Sequence, residues 1–144
     1  MMHLFHPFSV HFSIAMLIVG GLWEAWGQAA GGATSIRRGG IITIVGTLTL
    51  LPTLFTGYLA ANSVPVPDSA KAVFNLHELN GWVVAALFVG LLFWKAWYRG
   101  SVPESQRRYY AIALLLGVLL VGYGAFLGGE MVYMHGVGVV GVRS

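Results

Sequence analysis

Four apolar stretches, each long enough to cross a bilayer, constrain this chain more than any other feature. They cover about residues 7–27, 40–61, 70–98 and 107–134. The second holds 21 residues, Ile41 to Ala61, without a charge. A helix needs about 20 residues to cross the hydrocarbon core. Inside lipid every backbone polar group must be paired within the protein, so runs of this length read as helices. The links are short, and neighbouring spans therefore run antiparallel. The expected fold is all-α: a four-helix transmembrane bundle, up-down-up-down, forming a single integral membrane domain over 1–144. Charged residues are 9% of the chain, against roughly 25% in a soluble domain. That deficit excludes an ordinary soluble surface and a disordered chain alike.

Local signals punctuate the spans. Pro7 suits a first helical turn, where a missing N–H costs little. Pro52 interrupts the second span and predicts a kink. Gly31, Gly32, Gly39 and Gly40 read as the first link. The segment Ser63 to Asp68 reads as a loop, with Asp68 or Ser69 capping the third helix. His135-Gly136 reads as the end of the fourth helix. The first apolar run lacks the positive n-region of a signal peptide and reads as a retained span.

Basic residues set the expected orientation. Arg37, Arg38, Lys95, Arg99, Arg107 and Arg108 fall on one side, and Lys71 and Arg143 on the other. The positive-inside rule places the larger group in the cytoplasm and both termini outside. Trp23, Trp26, Trp94, Trp97, Tyr109 and Tyr110 mark the inner rim, and Trp82 and Tyr133 lie nearer the outer one.

The chain has no cysteine. This excludes a disulfide, a thiolate nucleophile, a covalently attached haem and a thiolate-bound iron–sulfur cluster. A net charge of +3, scattered along the chain, gives no nucleic-acid footprint. There is no nucleophile–base pair, zincin motif or phosphate-binding loop. Nitrogen ligation must come from five histidines: His3, His6, His11, His77 and His135. The topology brings all five to the outer end. His11 lies 12 residues before Trp23, or about 18 Å along a helix. His6 and His77 each lie 17 residues before Trp23 and Trp94, about 26 Å, and so share a level. His135 lies nearer the rim, and His3 is the weakest candidate. A polar ring at such depth is costly and marks a functional position.

Imidazole binds haem iron, copper and zinc, and a flat apolar porphyrin suits a helical bundle. Haem b, one or two per chain, is therefore the leading expectation, with His11, His77, His135 and His6 as the ligand pool and their pairing open. His11 and His77 are the first two choices. Glu130, Tyr133 and Asn80 are candidates for orienting a ligand or carrying a proton. Glu24, at the opposite end, reads as a snorkelling rim residue. The alternatives are a non-haem site for copper or zinc, or a structural or quinone-site subunit of a larger complex. Electron exchange is expected at the outer face, because no candidate ligand lies near the inner one.

Several segments together carry a resemblance. These are His6-Pro7-Phe8-Ser9-Val10-His11-Phe12, Thr56-Gly57, His77 with Asn80, and Leu127 through Val139 with its Gly-Gly-Glu and His-Gly-Val-Gly-Val elements. The chain resembles the bacterial membrane family called domain of unknown function 2231 over nearly its whole length. The resemblance implies a small four-span protein of the bacterial inner membrane. Some relatives are joined to Rieske or c-type cytochrome domains. This implies an electron-transfer component of an oxidoreductase complex, with quinone, a periplasmic cytochrome c or a Rieske-type protein as partner. The family often has a proline after His-Phe and an acid shortly after Thr-Gly. Ser13 and Tyr58-Leu59-Ala60 stand there instead, so no role for a second-span acid carries over.

Overall fold

A computed structural model of the chain describes residues 5–139. Four long helices account for most of them: α1 (Phe5–Ala30), α2 (Ala33–Ala61), α3 (Lys71–Trp97) and α4 (Arg107–Tyr133). Short 3-10 turns, Asp68–Ala70 and Glu104–Gln106, lead into α3 and α4. The shortest long helix has 26 residues, about 39 Å at 1.5 Å per residue, which exceeds the roughly 30 Å of hydrocarbon. All four are apolar enough to span a membrane. The fold is thus the expected up-down-up-down membrane bundle.

The link between α1 and α2 is tighter than its glycines suggest. Only Gly31 and Gly32 lie between the helices. Gly39 and Gly40, expected in the link, lie buried within α2 against α1. Their small size serves helix packing instead of turning the chain. The expected side-chain cap of α3 is also absent: the turn Asp68–Ala70 leads in, Ala70 holds the cap position, and no side chain bonds there. Asp68 instead pairs with Lys71 at 2.6 Å on the surface. Helix α4 ends as its sequence suggests. Gly136 has φ +64°, its N–H meets the Val132 carbonyl at 3.1 Å, and the Val137 N–H meets that of Met131 at 3.0 Å. This pair of bonds needs a left-handed residue after the helix, which glycine supplies without strain.

Helix α1 packs most extensively on α2 and also on α4, and α3 packs on α4. By contrast, α2 and α3 barely meet. One face of α1 makes both of its interfaces. It buries Ser13, Leu17, Gly20, Glu24, Gly27 and Gln28, spaced at the threes and fours of a helical stripe. Leu17, Phe88, Leu114, Leu91 and Val121 fill the middle of the bundle. Large apolar side chains such as Phe8, Phe55, Phe93, Leu119 and Phe126 point outward, as lipid requires. Between α2 and α3 an apolar groove of about 350 Å³ remains, with Leu50, Leu51 and Leu54 on one wall and Trp82, Ala85 and Val89 on the other.

Candidate functional site

The site begins with how α1 and α2 hold together. Ser9 and Ser13 are eleven and seven residues short of Gly20 on the buried stripe, and they face Thr49, Thr53 and Thr56 of α2. Ser13 Oγ lies 3.0 Å from Thr49 Oγ1 and 2.8 Å from Thr53 Oγ1. Ser9 Oγ lies 2.9 Å from Thr56 Oγ1. Small hydroxyls let helices approach closely and bond across an apolar interface. His6 continues this stripe by one more turn. Its Nδ1 lies 3.2 Å from the Thr53 carbonyl and 3.4 Å from Thr56 Oγ1. The ring packs over Gly57, where a Cβ would come within 2.9 Å of it. The room is made by the absent side chain.

His77 is held in the same manner by the other pair of helices. From α3 its Nδ1 lies 3.0 Å from the Gly124 carbonyl of α4. One turn further along α3, Asn80 is buried, and its amide donates to the Leu120 carbonyl at 3.1 Å. A carbonyl oxygen only accepts, so each histidine donates through Nδ1–H. That fixes the neutral tautomer with the lone pair on Nε2. No side-chain hydrogen bond uses Nε2 of either ring among the described residues.

The remaining candidates lie apart from this pair. His11 is exposed and turns its Nδ1 back to the Pro7 carbonyl of its own helix. His135 lies beyond α4, with Nδ1 3.3 Å from Ser69 Oγ. Glu130 and Tyr133 line a shallow hollow on α4 with Phe126, Gly129 and Met134. Glu130 forms no ion pair with His135 among the described residues, and Tyr133 is 87% exposed. His3 lies outside the described residues. Among those residues, no three histidines and carboxylates converge as a metal-ligand set.

At the other end, one residue departs from the sequence reading. Glu24 does not snorkel to the rim: it is fully buried, and its Oε1 accepts from Lys95 Nζ at 2.6 Å. Lys95 reaches it from α3 across Gly40, where a Cβ would come within 3.2 Å of Glu24 Oε1 and collide with the ammonium. The signal was available in the sequence. Glu24 lies on the stripe of Gly20, Gly27 and Gln28, and two opposite charges near the same membrane depth pair more readily than either stays alone.

Histidine rings anchored at one nitrogen, within a bundle whose outer surface is apolar, define a four-helix membrane protein with a polar centre at one end. The family model described as a predicted membrane protein, DUF2231, matches residues 2–141, and the chain belongs to that family. No curated protein and no solved structure matches it.

Proposed function

We propose that this chain is a membrane electron-transfer subunit that binds haem b through Nε2 of His6 and His77. The observation that supports this is the anchoring of both rings. Each donates Nδ1–H to a carbonyl of a neighbouring helix, the arrangement that orients an imidazole ligand and raises its basicity. Each is left with a free Nε2 lone pair, and the two rings come from different helix pairs. The apolar groove between α2 and α3 ends at Leu54 and Trp82, about one and a half helical turns from His77. It offers apolar surface to a flat ring. Bound haem would supply one-electron chemistry there. The protein's part is to fix the ligand tautomers and exclude water. In this reading His11 and His135 are not ligands of that iron, and Glu130 acts from the rim.

The basic residues support placing the histidine end on the periplasmic side, with exchange to membrane quinol, a cytochrome c or a Rieske-type protein. Reporter fusions at Ser35 and Ser101 should read cytoplasmic. An outside signal at either reverses the orientation.

The groove itself supports a second reading. It is apolar and flanked by lipid-facing side chains, so a quinol could enter sideways and donate a headgroup hydroxyl to a free Nε2. Haem assay and solvent extraction of the purified full chain separate these readings. Haem b near one per chain supports the first. Extracted quinone without haem supports the second. Stoichiometric copper or zinc without either overturns both.

A further inference from the structure

The Glu24–Lys95 pair lies at the opposite end of the bundle from the histidines, and its surroundings are incompletely bonded. Each helix contributes: α1 Glu24 and Gln28, α2 Gly39 and Gly40, α3 Lys95, and α4 Tyr110 with Arg107. Lys95 satisfies one oxygen of Glu24. Among the described residues the other, Oε2, has no partner, nor do either amide atom of Gln28, the Tyr110 hydroxyl or Arg107 Nε. Glu24 and Tyr110 are fully buried, and Gln28 is 4% exposed. Buried polar atoms left without partners are costly, and enclosed water is the usual remedy.

The positions of these atoms carry more information than their number. Gln28 lies one turn beyond Glu24 toward the end of α1, and Arg107 lies one turn before Tyr110 at the start of α4. On both helices the unpaired groups therefore run from Glu24 toward the arginine-bearing rim, about 6 Å along the axis. In the other direction Leu17, Phe88 and Leu114 fill the bundle, none more than 1% exposed. A bonded ion pair sealed for stability alone would be expected to lack such a one-sided file of polar atoms. Intramembrane charges of this kind mark ion and proton routes.

We propose that Glu24 is a proton-exchange site, served by enclosed water that enters past Arg107 and Gln28 and ends at the carboxylate. A hydronium delivered along this water gives its proton to Glu24 Oε2. An O–H bond forms there, water is regenerated, and the ion pair becomes a neutral acid beside the Lys95 ammonium. The proton leaves by the same route. The charged and titratable groups facing Glu24 are Lys95 from α3 and Tyr110 from α4, with Arg107 one turn from Tyr110 toward the rim. On α2, Arg37 and Arg38 are exposed at the same end. The site does not depend on what the histidines bind.

The test uses the full chain in lipid nanodiscs with Glu78, Glu104 and Glu130 replaced by Gln and glutamate labelled with carbon-13. Glu24 is then the only labelled carboxyl, and its own pairing is untouched. On acidification the infrared spectrum should gain a labelled carboxylic-acid band as the labelled carboxylate band falls. That acid band should shift in heavy water within the mixing time. Hydroxyl-radical labelling of the same sample should modify Tyr110 several-fold faster than the equally buried Phe88. Lack of a labelled acid band across the folded range, or protection of Tyr110 equal to that of Phe88, overturns the proposal. Tyr110→Phe removes one water partner while leaving the ion pair, and should slow the heavy-water shift.

Discussion

The two ends of this bundle handle buried polarity in opposite ways. At the histidine end, neutral rings and hydroxyls bond across helix interfaces, and each ring keeps one nitrogen free. At the arginine end, full charges meet directly, and the atoms around them are left without partners. The first arrangement is cheap to bury and leaves one nitrogen of each ring without a side-chain partner among the described residues. The second is expensive, because two ions must be desolvated and the gain rests on one short contact. Polar groups of similar count are thus bonded across helix interfaces in one place and gathered around an ion pair in the other. The difference lies in whether the unused valence is the lone pair of a neutral ring or an atom beside a buried ion pair.

Breaking the charged end should have the largest effect. Lys95→Met strands Glu24 in the bundle and should destabilise it by about 3–5 kcal/mol. Steric-trap unfolding in bicelles measures this. Adding Glu24→Gln should restore much of the loss, since no buried charge then remains. If the single variant is as stable as the wild type, the pair is not the determinant proposed. Gly40→Val comes next. Its side chain must displace the Lys95 ammonium, and the overpacking should cost about 1–3 kcal/mol by the same measurement. At the histidine end the effects are smaller. Thr56→Val removes the hydroxyl shared by Ser9 and His6 and should cost about 1 kcal/mol. His135→Ala loses only a long bond to Ser69 at an exposed turn and should fall near 0.5 kcal/mol. An order reversed between the two ends would undo the comparison.

The helices were legible because span length and the absence of charge are properties of single segments. The rotation of each helix was harder to read. His6 and His11 are five residues apart, which turns them about 140° from one another at 100° per residue. Depth favoured His11, yet helix phase puts His6 on the face shared by Ser9, Ser13 and Gly20. The hydroxyls at three and seven residues after His6 were the usable signal, matched by Thr49, Thr53 and Thr56 on α2. His77 was legible by depth, but the carbonyl that anchors it belongs to Gly124, and no side-chain pattern announces a backbone acceptor. The Glu24–Lys95 pair escaped for a related reason. Its partners lie 71 residues apart, and each, taken alone near a helix end, resembles a rim residue.

The central claim is that His6 and His77 bind the cofactor and His11 does not. The measurement that tests it most directly is the reduced-minus-oxidised visible spectrum of four purified full-length proteins: the wild type, His6→Ala, His77→Ala and His11→Ala. The account predicts haem b bands in the wild type and in His11→Ala. It predicts their loss in His6→Ala and His77→Ala, with far-ultraviolet circular dichroism showing the helices intact in all four. Full bands in both His6→Ala and His77→Ala, or none in the wild type, would contradict it.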